Sequence, residues 1–256
     1  MTRLQQTRTA LARRVLGDDG YERTIRRLAL RRQRPRIGKV RFGDLRRLEP
    51  VCREYGYLRG GPVDRHYIED FLGRHGELIT GRVLEIGERT YTERFGTDVT
   101  GSDMLHVHDV PEATYVADLT DAPVIPDDRY DAVIITQTLQ FIYDVPAAVA
   151  TLHRILKPGG VVLCTLPGIS QISDPVWGPT WYWSFTELSA QRLFDTAFGA
   201  AGVTVRTAGN VLAATAFLQG LAAGELTSAE LAVTDPEYPM IITVAARKDA
   251  GTRAQS

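Results

Sequence analysis

Two acids and one glycine occupy positions that suit the binding of a nucleotide-type cofactor. Glu85 lies in the apolar run 83–86, which stops at Gly87, and Asp103 ends a second short β-type run at 98–102. A glycine after a strand lets the backbone approach a ligand closely, and an acid at the tip of the next strand can accept hydrogen bonds from both ribose hydroxyls. The spacing predicts a strand, a turn, a short helix and a second strand, with a cofactor site at the turn.

Other polar side chains have the chemistry of a base or of a group that orients an acceptor. His108 is a candidate general base, and together with His106 and Asp109 it could alternatively be a metal ligand or part of a solvated loop. No clear third metal-binding position accompanies these residues, so we predict no metal. Gln140 and Tyr143 follow a strongly β-branched segment and could orient an acceptor for a transfer reaction.

All three tryptophans of the chain, Trp177, Trp181 and Trp183, fall in the segment 167–183. Flat aromatic faces suit sugar rings or planar metabolites, so we predict that these residues bind a substrate. The alternative is a lid that packs on the edge of a sheet.

The elements that must position these residues alternate along the chain. Apolar runs predict strands at 83–86, 98–102, 113–117, 130–135, 161–166, 203–205 and 240–246. Helical patterns fall at 63–74, 146–156, 188–198 and 211–221. Strands that alternate with helices favour an α/β fold, in which helices cover both faces of a mostly parallel sheet.

Three downstream motifs are similar to those of the class I S-adenosylmethionine-dependent methyltransferases. They are the acid and aromatic-Asp segment 116–131, the loop 136–144, and the helix ending Leu-Lys-Pro-Gly-Gly at 156–160. The resemblance covers residues 62 to about 248. It implies a Rossmann-like seven-stranded sheet, mostly parallel, with an antiparallel last strand. The sequence departs from the family at Arg89 and Tyr91, where glycines are usual.

The resemblance implies that the cofactor is S-adenosylmethionine, and it carries site roles onto matching positions. Glu85 and Gly87 would shape the turn near the methionine moiety, and Asp103 would bind the ribose. The remaining implied contacts are Met104 on the adenine, Asp118 and Leu119 around the base, and Thr136 and Gln137 beside the sulfonium. The helix before the first strand lids the cofactor in this family, so Arg65 and Tyr67 are expected to reach the cofactor's carboxylate or the acceptor. The alternative is an ordinary docking helix with surface polar residues.

Charge is unevenly distributed along the 256 residues. Residues 1–59 hold 17 Lys and Arg against 6 Asp and Glu, which leaves 13 against 25 in the remainder. We expect a basic helical extension over 1–60, broken into two helices near 17–20, a methyltransferase domain over 61–248 and a disordered tail over 249–256. The basic extension could attract an anionic partner, or it could pack on an acidic domain of its own or a second subunit, which would make a homodimer.

The remaining observations from the sequence concern the location of the protein in the cell. Two distant cysteines with no ligand spacing, no apolar signal segment and no apolar stretch of about 20 residues favour a cytoplasmic protein without a membrane span. The end of the chain further resembles a bacterial, methyltransferase type 11-like subgroup associated with glycan or secondary-metabolite pathways.

These expectations combine into a methyltransferase that modifies a small-molecule acceptor, namely a hydroxyl of a sugar or natural product. N-methylation is an alternative, and so is methylation of nucleic acid through the basic arm. The absence of an Asp/Asn-Pro-Pro-Tyr motif disfavours nucleic acid. A third alternative, motivated by Arg89 and Tyr91, is a protein of this fold that binds the cofactor without transferring methyl.

Overall fold

The computed structural model describes residues 3–32, 34–172 and 178–251. The chain divides into two compact units, Met1–Leu48 and Glu49–Ser256. In the first unit, helix α1 spans Arg3–Arg32 and is kinked at Gly17, whose φ is 68°. None of its described side chains is buried. No helix in the described part of the chain is long and apolar enough to cross a bilayer.

The second unit is built on a seven-stranded sheet. Its strands are β1 Gly81–Ile86, β2 Val99–His106, β3 Tyr115–Val116, β4 Tyr130–Thr136, β5 Leu156–Pro167, β6 Val203–Ala208 and β7 Ile241–Arg247. The spatial order is β3-β2-β1-β4-β5-β7-β6. β7 pairs antiparallel with β5 and β6, whereas all other pairs are parallel. This arrangement confirms the predicted Rossmann-like sheet with an antiparallel last strand.

Within residues 49–172 and 178–251, six α-helices accompany the sheet, and polar side chains define where several of them begin. The helices are α2 Val63–Arg74, α3 Thr90–Phe95, α4 Val145–Ile155, α5 Glu187–Phe198, α6 Val211–Leu218 and α7 Ser228–Leu231. Asp144 accepts a hydrogen bond from the Ala147 N–H at the start of α4, and Thr186 and Ser189 form a reciprocal cap on α5. Such caps satisfy amide groups that a helix leaves unpaired at its first turn.

The core lies on both faces of β4 because alternate residues of a strand face opposite sides. Val133 and Ile135 pack in the cluster that contains residues of α4 and α5. Ala132 and Ile134 pack in the cluster that contains Ile68 of α2 and further residues of α2 and α3. The strongly β-branched sequence at 130–135 is therefore that of a central strand, and helices cover both of its faces.

The second strand runs further than its sequence indicates. The polar run that ends at Ser102 predicted a strand end there, but β2 continues to His106. Met104 and Leu105 are buried and pair with Glu85 and Ile86 of β1. Pairing with the neighbouring strand thus extends β2 beyond its polar segment.

Residues 49–60 belong to the compact unit that contains the sheet, whereas the sequence led us to place them in the extension. The Cys52 N–H donates to the Gln219 carbonyl oxygen at 3.1 Å, and Arg59 forms an ion pair with Glu225. Gly220, at φ 66°, lies so close to Cys52 that an added Cβ would stand 1.8 Å from the Cys52 carbonyl oxygen. The part of the predicted disordered tail at 252–256 lies outside the described residues.

We predict that Gly220→Ala destabilises this unit by about 2 kcal/mol or more, because the new Cβ meets backbone and the left-handed conformation is strained. Gly224→Ala is the matched control, since a Cβ there would meet nothing within 4 Å. Thermal unfolding of the two variants checks this. An unchanged melting temperature for Gly220→Ala would mean that residues 49–60 do not pack on the domain.

Candidate active site

A crevice is expected where the connections of the sheet reverse direction. From β1 the chain builds outward to β2 and β3 on one side, and to β4 and β5 on the other. Open α/β sheets bind ligands at the carboxyl ends of the strands on either side of such a switch point. Gly87 follows β1 and Gln137 follows β4, so these two residues flank the candidate site.

The turn after β1 is held by a buried carboxylate. Glu85 accepts hydrogen bonds from the Tyr91 N–H at 3.1 Å, from the Thr92 N–H at 2.7 Å and from the Thr92 hydroxyl at 2.7 Å. Burial raises the pKa of Glu85, and the hydrogen bonds from Thr92 oppose that shift. Both carboxylate oxygens are engaged, so Glu85 acts on the turn by fixing the first residues of α3.

The two residues that replace the expected glycines leave the turn open. Arg89 Nη2 donates to the Glu112 carbonyl oxygen and to Thr114 Oγ1, each at 3.0 Å. Tyr91 is buried in the core and accepts a hydrogen bond from Arg65. Gly87 has φ 91°, and a Cβ added there would meet nothing within 4 Å. Neither replacement fills the space beside Gly87.

Asp103 does not end the second strand, and the prediction that it does is wrong. It lies inside β2 opposite Leu84 and is 6% exposed. Its Oδ2 accepts from Arg82 Nε at 2.9 Å and from the Tyr130 hydroxyl at 2.9 Å. Met104 is likewise buried within the strand. Strand pairing and these two partners make Asp103 a structural carboxylate that joins β1, β2 and β4.

His106 takes the place at the carboxyl end of β2. The Gly87 N–H donates to the Leu105 carbonyl oxygen at 2.9 Å, which sets His106 beside the turn. Its Nδ1 lies 3.0 Å from the His108 nitrogen and 2.9 Å from the His108 carbonyl oxygen. The register in which β2 pairs with β1 places His106 at the end of the strand, and residue types alone do not reveal that register. His108 itself is exposed.

In the loop after β4, one residue has a strained backbone conformation and another has a buried side-chain atom without a hydrogen-bond partner. Thr136 ends the strand, and Gln137 follows with φ 48°, unusual for a residue other than glycine. The carbonyl oxygen of Gln137 accepts from Gln140 Nε2 at 2.8 Å. Gln140 is 1% exposed, and its Oε1 has no hydrogen-bond partner. A buried amide oxygen in this state lacks the hydrogen bond that such groups normally make, so Gln140 is a candidate contact for a ligand.

An aromatic loop packs on this segment. The Tyr182 and Trp183 N–H groups donate to the Gln140 carbonyl oxygen at 2.8 and 3.3 Å. Trp183 Nε1 donates to the Ile142 carbonyl oxygen, whereas the buried Trp181 Nε1 has no partner. The Tyr143 ring contacts the rings of Tyr182 and Trp183. The structure thus brings Gln140, Tyr143, Trp181 and Trp183 together. Trp177 lies outside the described residues.

Helix α2 contains Arg65 and Tyr67, which were predicted to reach the cofactor, and Asp64, which was not predicted as a site residue. Arg65 donates to the hydroxyls of Tyr57 at 3.1 Å and Tyr91 at 2.7 Å. Tyr67 is 5% exposed and donates to the Leu231 carbonyl oxygen at 3.1 Å, so the prediction that it reaches the cofactor is not supported. Asp64 is 9% exposed with Oδ1 unpartnered. In the sequence Asp64 looks like an ordinary first-turn acid.

Asp118 and Leu119 follow β3 with different surroundings. Asp118 is exposed, and its Oδ1 accepts from the Thr120 N–H at 2.8 Å and from the Thr120 hydroxyl at 2.9 Å. Leu119 is buried in the main core.

Within the described residues, no group of three His, Cys, Asp or Glu side chains could hold a metal ion.

Part of this chain is similar to known proteins. A family model described as a methyltransferase domain matches residues 80–164. Among solved structures, YcgJ of Bacillus subtilis is 15% identical, with 73% of this chain and 100% of that chain covered and a TM-score of 0.47. A SAM-dependent methyltransferase of Archaeoglobus fulgidus is 12% identical, with 72% and 94% covered and a TM-score of 0.47. A search of curated proteins found no match.

The matched segment runs from β1 into β5 and contains both the turn at Gly87 and the loop after β4. The strand order and the antiparallel β7 are those of the class I S-adenosylmethionine-dependent methyltransferase fold. The residues present fit this cofactor, because Gly87 is open and polar atoms of Asp64 and Gln140 lack partners.

We predict opposite consequences for two residues of β2. Asp103→Asn should lower the free energy of unfolding by about 2 kcal/mol, because Arg82 and Tyr130 lose a charged acceptor, and should leave the affinity for S-adenosylhomocysteine unchanged. His106→Ala should weaken that affinity about tenfold, with stability altered by less than about 0.5 kcal/mol. Denaturant unfolding and calorimetric titration measure both. If Asp103→Asn loses affinity at unchanged stability, Asp103 is the ribose ligand after all.

Proposed function

We propose that this protein transfers the methyl group of S-adenosylmethionine to a hydroxyl of a small molecule such as a sugar or natural product. The observation that supports this most directly is the pair of unpartnered buried atoms, Gln140 Oε1 and Trp181 Nε1. One is an acceptor and the other a donor, and an acceptor hydroxyl can satisfy both.

The same pair favours oxygen over nitrogen as the methylated atom. A hydroxyl can donate its hydrogen to Gln140, accept from Trp181 with one lone pair and keep the second lone pair for attack. A neutral amine has a single lone pair, so accepting from Trp181 would block its reaction. A protonated amine cannot accept from Trp181 at all.

Both groups are held in place before a substrate arrives. The Gln140 amide is oriented by the bond from its Nε2 to the Gln137 carbonyl oxygen. The Trp181 ring packs edge-to-face on Phe141, with ring centroids 5.2 Å apart. Backbone strain of the kind seen at Gln137 costs about 1 kcal/mol or more and persists where the surroundings fix it. Such pre-organisation suits a reaction whose rate depends on alignment.

When bound, S-adenosylmethionine supplies an electrophilic methyl group on a sulfonium. The residues of this chain would then align the acceptor and shield it from water. Tyr143 and Trp183 are exposed and offer flat faces to an acceptor ring. His108 stays our proposed base for the hydroxyl proton, which then leaves its hydrogen bond to Gln140 as the methyl group is transferred. Replacing His108 by Ala should slow transfer to hydroxyl acceptors at unchanged cofactor affinity.

We predict that Gln140→Leu lowers kcat/KM about a hundredfold and that Trp181→Phe lowers it about tenfold, because each removes a hydrogen bond to the reacting oxygen. The assay is transfer of labelled methyl to a panel of sugars, phenols and matched amines. Trp183→Phe is the matched control, since the Trp183 Nε1 group already has a backbone partner, and we expect its kcat/KM to fall less than about threefold.

Two results would contradict the proposal. Transfer to amines alone, or unchanged transfer to hydroxyls in Gln140→Leu, would reject the role of this pair. Tight binding of the cofactor without transfer to any acceptor of the panel would favour a protein of this fold that does not methylate.

A further inference from the structure

The second half of helix α1, residues 18–32, has an apolar side and a basic side. Tyr21, Ile25 and Leu28 recur at the i, i+4 and i+7 spacing that places side chains on one side of a helix. The same periodicity places three arginines on the opposite side: Arg23, Arg26 and Arg27. A helix of this kind, with apolar residues on one side and arginines on the other, is typical of helices that lie on a membrane surface.

The apolar side of this helix is not covered by the protein. Ile25 and Leu28 are exposed, and so is Leu30, which lies among the arginines. Arg32 ends the helix on the apolar side, where its long side chain can extend away from apolar surroundings. No side chain that the structure describes in residues 17–48 is buried. This part of the chain therefore has no apolar core of its own, and a partner that covers its apolar side chains would stabilise it.

The segment that follows the helix continues the same combination of apolar and basic residues. Its exposed large apolar side chains are Ile37, Val40, Phe42 and Leu48. Residues 17–48 contain 11 Lys and Arg against 4 Asp and Glu. Among the described residues, no ion pair within 4 Å involves Arg26, Arg27 or Arg32. Their charges are available to an anionic partner.

An anionic bilayer fits this surface better than a nucleic acid does. Duplexes are bound mainly through their phosphates, and single strands are stacked on aromatic rings. Residues 17–48 hold two aromatic side chains, Tyr21 and Phe42, and the Arg46 guanidinium lies over the Phe42 ring, 5.2 Å from its centroid. Exposed aliphatic side chains contribute little to either mode. The boundary of a bilayer offers acyl chains to aliphatic residues and phosphates to arginines at once.

We propose that residues 18–48 form a docking surface for an anionic phospholipid bilayer, with the second half of α1 lying in the plane of the membrane. Ile25 and Leu28 enter the boundary between headgroups and acyl chains. The arginines on the far side still attract the headgroups, because the helix diameter of about 10 Å is close to the distance over which charges act in physiological salt. The attachment is peripheral. It depends neither on the acceptor proposed above nor on methyl transfer.

Sedimentation of the full chain with lipid vesicles tests this proposal. One set of vesicles is phosphatidylcholine alone, and the other is phosphatidylcholine with phosphatidylglycerol at about 7:3. The protein should bind the anionic vesicles at least about tenfold more tightly than the neutral ones, because each Lys or Arg near a negative surface adds to the attraction. Raising the NaCl concentration from about 0.1 M to about 0.5 M should weaken this binding at least about tenfold.

Two double variants separate the apolar contribution from the charge. Ile25→Gln with Leu28→Gln keeps the net charge and should weaken binding to the anionic vesicles at least about tenfold. Arg26→Gln with Arg27→Gln should weaken it about tenfold and reduce its dependence on salt.

Leu212→Gln with Leu218→Gln is the matched control for the apolar variant. These two leucines of α6 are 44% and 41% exposed, against 47% and 44% for Ile25 and Leu28. The control makes the same chemical change on another helix, and we expect it to bind vesicles as the wild type does.

Titration with S-adenosylhomocysteine and thermal unfolding verify that each variant is folded. The substituted side chains are exposed, so the melting temperature and the affinity for S-adenosylhomocysteine should equal those of the wild type. A loss of this affinity in Ile25→Gln with Leu28→Gln would overturn the proposal, because these side chains would then serve the methyltransferase domain.

Three further outcomes would overturn the proposal. One is equal binding to neutral and anionic vesicles, or binding to neither. Another is tighter binding to a DNA duplex of about 20 base pairs than to the anionic vesicles, unchanged in Ile25→Gln with Leu28→Gln, which would assign the basic surface to nucleic acid. The third is a dimer, measured by analytical ultracentrifugation, that the same variant abolishes, since a second copy would then cover the apolar side. Vesicle binding can fail while hydroxyl methylation is correct, and the reverse also holds.

Discussion

The hydrogen bonds that Glu85 accepts are the interaction on which the rest of the site depends. A carboxylate near the end of β1 accepts from the amides of Tyr91 and Thr92, the second and third residues of α3, which lack helical partners. This fixes the path of the chain around Gly87 and sets the direction of Tyr91. The Tyr91 hydroxyl in turn holds Arg65 on α2. One buried acid thus connects the strand, the turn and the helix that together border the cofactor crevice.

The sequence was sufficient to predict the fold because the signals for it are local. Apolar runs marked the strands, and the Leu-Lys-Pro-Gly-Gly segment marked the end of α4. The errors have a different origin. Asp103 looked like a strand tip because the residues before it are polar, and only pairing with β1 shows that the strand continues. The partner of the Tyr67 hydroxyl, the carbonyl oxygen of Leu231, lies 164 residues away along the chain, so the sequence does not reveal this hydrogen bond.

The sequence alone is also insufficient in the segments that were predicted to bind the acceptor. Composition alone placed three tryptophans in one loop, but it could not distinguish their roles. The structure separates Trp183, whose Nε1 has a backbone partner, from Trp181, whose Nε1 has none. Gln140 was predicted to orient an acceptor because it follows β4. Which of its two amide atoms is available depends on the carbonyl oxygen of Gln137, and that oxygen is positioned by a backbone conformation that residue types do not reveal.

The three buried carboxylates of the described residues show how a structural acid differs from a binding acid. Glu85 and Asp103 each accept at least two hydrogen bonds from the protein, so their charges are already compensated. Asp64 is comparably buried but has an oxygen without any partner. Burial raises the pKa of Asp64, and the Arg65 charge and the backbone N–H groups of Arg65 and Asp64 oppose that shift, so the charge of Asp64 is compensated only in part.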